Sequence, residues 1–372
     1  MPRFLPKEEM DFCLIHPGKQ LLRELDERTL SQKDIADAID KPTPLINEII
    51  NGKRRFSAEM SALLGAALEM EPDYWINLQS QYELARIKEE DSYSKKIEYI
   101  KSWNRLKDIV NVSSLKKRFN LNDDTAKCVD TIFSYFGVSD IEQFEEKAAI
   151  VSNAYFRRSS KRATDPKDLL TWSMIVKRRS EDEQFEEKRF DKKNEARLVS
   201  ELNRVFYNNS DTITKTGAIL AKYGIKFILE DKIDQMPVDG YSFWIGQNPT
   251  IAMTRRFKRI DNFAFTLMHE IGHIMQHLSP EEGRNDSLNF YTQSADEYEK
   301  KEKEANTYAQ CRLIGDAPID ELYKRCKNIY ASERAIISFA DENGISRSVV
   351  AGQFRHHFNA YSVFNNLIDN IR

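Results

Sequence analysis

The segment at residues 261–278 constrains the fold more than any other part of the chain. It reads DNFAFTLMHEIGHIMQHL, and its apolar residues recur at intervals of three and four, which predicts an amphipathic helix with one buried stripe. The stripe consists of Ala264, Leu267, Met268, Ile271, Ile274, Met275 and Leu278. At about 100° per residue, His269 and His273 project from the opposite side one turn apart, with Glu270 at the flank. Two imidazoles are therefore expected to meet at one point outside the core.

Two histidines one helical turn apart, with a glutamate between them, suit a zinc ion that catalyses hydrolysis. Zn²⁺ takes neutral histidine nitrogens, a third protein ligand and a water molecule at an open position. Bound zinc makes that water more acidic, and a carboxylate beside it can carry the proton to a leaving amine. We predict that His269 and His273 bind Zn²⁺, that Glu270 is the catalytic base, and that the reaction is peptide-bond hydrolysis. The alternative is a solvated helix face, and such a scaffold can also keep the motif without the activity.

The spacing of residues leaves the third zinc ligand open. His277 continues the histidine row, but its Cα would lie about 12 Å along the axis from that of His269, so a role beside the ligands or at the surface is expected. Glu304, in the run EKEANTYAQCRL, is the preferred ligand because it precedes Ala305 and shares a helix face with Tyr308. Its rivals in the same acidic run are Glu297, Glu299 and Glu302.

Two short helices around a tight turn are predicted near the N-terminal end. The run Ser31-Gln32-Lys33-Asp34 is typical of a capped helix start, and this helix is expected to reach Ile39. A second helix is predicted from about Thr43 to Asn51, ended by Gly52. The pattern indicates a helix-turn-helix motif, although a helical module that binds other proteins is an alternative interpretation.

A helix-turn-helix motif places its second helix in the major groove of double-stranded DNA, where side chains contact bases or phosphates. The residues expected there are Thr43 and Asn47 at the bases, and Gln32, Lys53, Arg54 and Arg55 at the phosphates. Proteins of this kind usually recognise paired half-sites, so a homodimer is also expected.

The chain as a whole is predicted to be multidomain. An all-α helix-turn-helix domain is expected at 1–87, a helical linker or middle domain at 88–205, and an α+β domain with a short sheet and the metal helix at 206–372. The stretch 88–101 is rich in charge, which indicates an exposed helix extension or linker. Three strands are predicted at Ile225–Leu229, Gly240–Ile245 and Thr250–Met253, with turns at Asp239-Gly240 and Asn248-Pro249.

Bulk composition excludes several classes of protein. A length of 372 residues with 41% hydrophobic residues is enough for two or three packed domains despite 31% charged residues. A formal charge of −3 excludes a generally polycationic protein, so any DNA contact must be confined to one region. No apolar run has the length of a membrane span, and Met1–Glu9 lacks the core of a signal peptide. We therefore expect a cytoplasmic protein without membrane association.

Two other groups of residues that can bind metals lack a metal-binding pattern. The cysteines form no C-x-x-C pair, so four reduced thiols are expected, at Cys13, Cys128, Cys311 and Cys326. His356 and His357 show no ligand spacing, and packing or surface roles are the better interpretation.

The C-terminal part, from Tyr223 to Ile371, resembles the ImmA/IrrE-type zinc metallopeptidases that act on transcriptional repressors. The runs that carry the resemblance are GIKFILE, RIDNFAFTLMHEIGHIMQH, KEKEANTYA and ERAIISFADENGISRSVVAGQF. The resemblance implies a zincin-like fold, a general base at Glu270, and zinc ligands at His269, His273 and Glu304. The chain departs from the family after Gly352, where Gln353 and Arg355 stand in place of an arginine directly after the glycine.

The N-terminal part, from His16 to about Leu84, is similar to HigA-type antitoxins of the Xre/Cro class. The matching runs are HPGKQLLREL, LSQKDIADAI, INEIINGKR and EPDYWINLQSQYEL. This similarity implies a dimeric operator-binding protein that also neutralises a toxin partner. The chain departs from the class at Pro42-Thr43-Pro44, where polar or basic residues that contact bases are usual.

Two functions are compatible with these patterns. In the first, a DNA-binding regulator carries a zinc endopeptidase domain that cleaves a repressor or antitoxin-type partner, or the chain itself. In the second, the chain is a non-enzymatic antitoxin and autorepressor whose C-terminal domain binds a toxin. The intact metal helix favours the first function, and the complete N-terminal pattern is common to both.

Overall fold

The computed structural model describes residues 15–153, 166–183, 188–233, 236, 238–255, 258–279, 295–326 and 332–372. Cys13 and the stretch Met1–Glu9 lie outside the described residues. The chain divides into two compact units, Met1–Trp103 and Asn104–Arg372. Most of the segment 88–205, predicted as a linker or middle domain, falls in the same compact unit as the C-terminal residues.

The first unit is built from short helices with local caps. Its helices are α1 (Pro17–Glu27), α2 (Gln32–Ala38), α3 (Thr43–Ile50), α4 (Ala58–Ala67), α5 (Pro72–Glu89) and the first part of α6 (Asp91–Ile109). Ser31 and Asp34 form the capping box that starts α2, as predicted. Trp75 is fully buried and stacks on Phe56 with the ring centroids 5.2 Å apart. The predicted all-α unit is confirmed, and the charged stretch 88–101 is mostly helical and mostly exposed.

A series of helices precedes the sheet in the described part of the second unit. They are α7 (Val112–Phe119), α8 (Thr125–Phe136), α9 (Ile141–Asn153), α10 (Pro166–Asp182), α11 (Glu195–Asn208) and α12 (Thr212–Lys222). Every residue of α10 from Asp168 to Lys177 is buried, including the side chains of Thr171 and Ser173. A helix covered on all sides lies inside a packed unit.

A three-stranded sheet follows these helices, in the order β1-β3-β2. Its strands are β1 (Lys226–Glu230), β2 (Gly240–Ile245) and β3 (Asn248–Thr254), so all three predicted strands are confirmed. β1 is parallel to β3, and β2 is antiparallel to it. The hairpin turn lies at Gly246, whereas Asn248 and Pro249 already belong to β3. The pairing of β1 with β3 begins at Lys226 and Thr250. Pro249 precedes this pair, so its missing N–H removes no hydrogen bond between these two strands.

Glu230 at the end of β1 ties the middle helices to the sheet. Its carboxylate accepts from Nη1 of Arg118 on α7 at 2.6 Å and from Nη1 of Arg179 on α10 at 2.8 Å. Burial opposes ionisation of Glu230, but the two arginines outweigh it and hold the pKa of this carboxyl below its ordinary value. Arg179 also donates to the carbonyl oxygen of Leu229 at 2.7 Å.

Five further helices of the described residues follow the sheet. They are α13 (Ile260–Gln276), α14 (Ala295–Ile314), α15 (Ile319–Arg325), α16 (Glu333–Asn343) and α17 (Arg347–His357). α13 is the predicted metal helix, and it packs against β2, β3, α14 and α17. His357 stacks on Tyr323 at 3.9 Å, which agrees with the predicted packing role. None of the described helices combines the length and apolar character that a membrane crossing requires.

Candidate metal centre

α13 is covered on two faces. Leu267, Ile271 and Ile274 of the predicted stripe are fully buried in the core. On the other face Gly272 faces α14, where an added Cβ would lie 3.3 Å from the Cα of Ala305 and 3.1 Å from the ring of Tyr308. The two helices therefore approach each other closely through small residues. The histidine face is an interface between helices and not the solvated surface of the alternative interpretation.

Three potential ligands converge at this interface. The Nε2 atoms of His269 and His273 lie 3.0 Å apart, and the carboxylate oxygens of Glu302 on α14 lie 3.5 and 3.4 Å from them. One donor atom from each of the three residues falls within 4.8 Å of the others. The side chains of His269 and His273 are only 15% and 10% exposed. This is the one such group among the residues that the structure describes.

Glu302, and not Glu304, therefore stands with the two histidines. Glu304 contacts Nε2 of His277 through its Oε2 at 3.0 Å and lies near Lys300. Residues two apart on a helix point in nearly opposite directions, so only one of the two glutamates can face the histidine pair. Glu302 shares its face with Ala305 and Ala309, which are fully buried against α13. The small residues at the closest approach of the helices were the signal that could have identified Glu302.

Each histidine is held by a contact at its second ring nitrogen. Nδ1 of His269 lies 3.0 Å from the side-chain oxygen of Asn306, and Nδ1 of His273 lies 3.0 Å from Nδ1 of His277. An amide oxygen accepts from Nδ1–H of His269, which leaves the Nε2 lone pair free for a metal ion. Sequence reasoning missed Asn306, although it follows Glu302 by four residues and so lies on the same face of α14. His277 lies beside the ligands, as predicted.

Glu270 lies between the histidine pair and the edge of the sheet. It is buried, and its carboxylate lies against Gly240, the first residue of β2. A Cβ added at Gly240 would lie 2.7 Å from Oε1 and 2.8 Å from Cγ of Glu270, so a larger residue there would displace this carboxylate. The predicted base is therefore positioned by the start of a strand.

The electrostatics of the cluster favour a positive charge. Burial disfavours protonation of His269, but its hydrogen bond with Glu302 and the charges of Glu270 and Glu302 outweigh it and raise the pKa of the imidazole. Burial also opposes ionisation of Glu302, yet His269 and His273 hold the pKa of that carboxyl far below its ordinary value. The pKa of His277 is lowered, chiefly by burial, although Glu304 acts in the other direction.

The residues at this point fit a zinc ion. Two imidazoles and one carboxylate are the protein ligands of catalytic zinc sites that keep one position for water. The fixed Nδ1 contacts of both histidines direct their Nε2 lone pairs towards the shared point, where the carboxylate of Glu302 supplies an anionic oxygen. No cysteine among the described residues belongs to the cluster, which excludes a thiolate site there.

A cavity of about 440 Å³ lies beside α13, and neither the three converging side chains nor Glu270 lines it. Asp239, next to Gly240, and Phe265, whose ring centroid is 6.4 Å from that of His269, line it on the side of the metal centre. Its far wall carries Arg355, a buried side chain whose Nε and Nη1 have no hydrogen-bond partner in the described part of the chain. Burial and the neighbouring Arg259 lower the pKa of this arginine.

The helix-turn-helix residues lie on a surface of the first unit. Asn47 on α3 is exposed, and its amide donates to Oε1 of Gln32 on α2 at 3.2 Å. Thr43 is the first residue of α3, and Pro42 and Pro44 flank it at positions where proline suits a helix start. The basic residues Lys53, Arg54 and Arg55 follow α3 and are exposed. Arg54 pairs with Glu48 at 3.0 Å, and Arg55 lies 4.0 Å from Glu83.

Comparisons with known proteins agree with this architecture. The model of the IrrE N-terminal-like domain of M78 peptidases matches residues 221–354, which include β1 to β3, α13 and α14. The model of the helix-turn-helix family matches residues 20–75. Both predicted resemblances are confirmed at the level of the domains.

Individual relatives and solved structures match part of the chain. Over 76 residues the chain is 36% identical to virulence-associated protein A′ of Dichelobacter nodosus, and the match covers 20% of this chain and 66% of that protein. The Pseudomonas aeruginosa antitoxin HigA with higBA promoter is 36% identical, with a TM-score of 0.22, over 23% of this chain and 92% of that one. The structure of an addiction module antidote protein of a HigA family from Coxiella burnetii is 31% identical, with a TM-score of 0.22. The match covers 23% of this chain and 91% of that one.

The chain therefore joins an Xre/Cro-like helix-turn-helix domain at its N-terminal end to an IrrE/ImmA-type M78 peptidase-family domain at residues 221–354.

Proposed function

We propose that the C-terminal domain is a zinc-dependent endopeptidase whose ligands are His269, His273 and Glu302 and whose general base is Glu270. The observation that carries the proposal is the convergence of two Nε2 atoms and one carboxylate within 4.8 Å, with a second buried carboxylate beside them. Zinc bound there would supply a Lewis acid for a peptide carbonyl and for a water molecule. The two carboxylates thus have separate roles: Glu302 binds the zinc ion, and Glu270 transfers a proton.

Glu270 is suited to proton transfer because it is fixed but not used as a ligand. It accepts a proton as water adds to the carbonyl carbon, and it returns that proton to the amide nitrogen as the C–N bond breaks. Its contact with Gly240 restricts the carboxylate to a position beside the histidine pair. Burial of the surrounding side chains also limits access of bulk water to the reacting groups.

A peptide is the substrate that suits the surroundings of this site. β2 begins at Gly240, beside Glu270, and is an edge strand of the described sheet. An extended peptide can add to such an edge through main-chain hydrogen bonds. The cavity between Phe265 and Arg355 offers a place for one substrate side chain. A repressor or antitoxin-type protein, or the chain itself, is the substrate class that we infer.

The test is a comparison of Glu270→Gln with the wild-type protein. Both are expected to retain zinc after expression in zinc-replete medium, and only the wild type is expected to cleave a proteome-derived peptide library. The matched control is Glu299→Gln on α14, an exposed carboxylate that pairs with Lys303 and should leave cleavage unchanged. Equal cleavage by Glu270→Gln and wild type would rule out the role given to Glu270. Wild-type protein without zinc would rule out the proposal as a whole.

We also propose that the first unit binds operator DNA as a homodimer. The support is the surface formed by half-buried Gln32, exposed Asn47 and the exposed basic residues after α3, together with the helix-turn-helix match over residues 20–75. Half-sites about one helical turn apart would then be contacted by two copies of α3. In a gel-shift experiment with the promoter upstream of its own gene, the wild type and Glu270→Gln should bind equally.

The second candidate function is a non-enzymatic antitoxin and autorepressor, and the helix-turn-helix match favours it equally. In that case the C-terminal domain binds a toxin partner and does not hydrolyse peptides. Retained promoter binding with no cleavage of the peptide library by zinc-loaded wild type would select this function. Cleavage that depends on Glu270 would select the first.

A further inference from the structure

A third histidine and a second glutamate lie just outside the metal centre. His277 follows α13, and its side chain is 7% exposed. Its Nδ1 lies 3.0 Å from Nδ1 of His273, and its Nε2 lies 3.0 Å from Oε2 of Glu304. Glu304 is 43% exposed and belongs to α14, so the contacts form a chain from the protein surface to one of the proposed zinc ligands.

The chemistry of these groups fixes the direction of every hydrogen bond in the chain. A carboxylate only accepts, so Nε2 of neutral His277 must carry the hydrogen that it donates to Glu304. The other nitrogen of that ring, Nδ1, is then an acceptor. It accepts from Nδ1–H of His273, which leaves the lone pair of His273 on Nε2. That is the nitrogen that lies 3.0 Å from Nε2 of His269, at the point where the ligands converge.

We propose that Glu304 and His277 are positioning residues that select the metal-binding tautomer of His273 and fix the orientation of its ring. The inference rests on the proposed zinc site, because it concerns how one of the zinc ligands is presented. It also gives Glu304 a role that the family resemblance did not imply, since this glutamate acts through two imidazoles and does not contact the metal.

The two histidine ligands are thus supported in different ways. His269 is held directly by the neutral amide oxygen of Asn306. His273 is held through a second imidazole by a carboxylate whose charge lies nearer to solvent. Outer partners of histidine ligands commonly account for about 10–100-fold in metal affinity. A loss of zinc affinity within that range is therefore expected when the side chain of either His277 or Glu304 is removed from this series of hydrogen bonds.

The test measures the zinc dissociation constant of the full-length apoprotein by competition with a chromophoric chelator. Glu304→Ala and His277→Phe should each weaken zinc binding by about 10–100-fold. The double variant should bind zinc no more weakly than His277→Phe, because both substitutions interrupt the same series of hydrogen bonds. Glu304→Gln should remain within a few-fold of wild type, since its amide oxygen can still accept from His277. The control Glu299→Ala removes an exposed carboxylate from the same helix and should have no effect.

A second readout does not depend on zinc. In apoprotein with ¹⁵N-labelled histidine, NMR should find His273 in the Nδ1–H tautomer in wild type and a mixture of tautomers in Glu304→Ala. The partly exposed position of Glu304 makes this variant the one that keeps the fold, whereas His277→Phe changes a buried site. Zinc binding by Glu304→Ala and His277→Phe that equals wild type, with an unchanged tautomer, would overturn the inference. Failure of wild type to bind zinc would instead overturn the proposed function, and the apoprotein tautomers would still be measured.

Discussion

The metal centre and the helix-turn-helix surface are both built from polar side chains on neighbouring helices, but they are held in opposite ways. At the metal centre the imidazoles and carboxylates are largely buried, and each has a fixed partner. At the helix-turn-helix surface most of the polar groups are exposed, and they pair with other surface side chains, such as Arg54 with Glu48. A buried polar site must be assembled before it acts, whereas an exposed one can exchange its partners when DNA arrives.

This contrast predicts that substitutions at buried polar groups have large effects and that substitutions at exposed ones have small, salt-dependent effects. The largest is expected for Glu302→Ala, which removes a proposed zinc ligand. Zinc binding should weaken by more than about 100-fold, beyond the range of an outer partner. Chelator competition measures it, with Glu304→Ala as the comparison on the same helix. A larger loss in Glu304→Ala than in Glu302→Ala would restore Glu304 as the ligand.

The next largest effect is expected for Glu230→Ala, which tests the buried charge that joins the middle helices to the sheet. Removing this carboxylate leaves Arg118 and Arg179 facing each other without their partner. The free energy of unfolding should fall by about 3 kcal/mol, the lower end of the cost of breaking a buried pair. Urea denaturation followed by circular dichroism measures it. The exposed pair of Asp341 and Arg347 is the control, and Asp341→Ala should change little.

The same carboxylate predicts how stability depends on pH. Its pKa is lower in the folded chain than in the unfolded chain, so its contribution is complete above the unfolded value of about 4.3 and is lost as the pH falls through the folded pKa. The difference in stability between wild type and Glu230→Gln should therefore shrink on going from neutral pH to about pH 3. A difference that stays constant over this range would mean that Glu230 is not stabilised as a carboxylate.

Asn47→Ala is expected to have a smaller effect, on sequence discrimination by the DNA-binding unit. A side chain that contacts a base edge contributes about 1–3 kcal/mol to discrimination at that position. Gel shifts with a set of single base-pair changes in the operator should show relaxed preference at one position. An equal loss of affinity for every sequence would show that Asn47 contacts phosphate or only supports Gln32.

The smallest effect is expected for Lys53→Ala, an exposed charge assigned to a phosphate. The slope of log affinity against log salt should decrease in magnitude by about 0.9, with the preference among sequences unchanged. Binding titrations at several salt concentrations measure it. An unchanged slope would remove Lys53 from the proposed DNA contact.

The sequence predicts the elements that have a strong local signal. The periodicity of residues 261–278 predicts α13, and short apolar runs separated by turn-prone residues predict the three strands. The turn was misplaced because Asn248-Pro249 resembles a turn, whereas Gly246 forms it. Pro249 fits in β3 because the pairing of β3 with β1 begins at the next residue, Thr250. That pairing is a tertiary contact, which the local sequence does not reveal.

The parts that the sequence could not predict depend on contacts between distant residues. Glu302 and Glu304 belong to one acidic run, and the choice between them is made by the face that α14 presents to Gly272. The assignment of the middle helices to the second unit depends on Glu230, which is 112 residues from Arg118 and 51 from Arg179. No local pattern carries either of these pairings.

X-ray absorption at the zinc edge of the zinc-loaded, full-length protein tests the central claim most directly. We expect one zinc per chain bound by two imidazoles and additional oxygen ligands, with one imidazole lost in His273→Ala. A spectrum with sulfur ligands, or an unchanged number of imidazoles in His273→Ala, would contradict it.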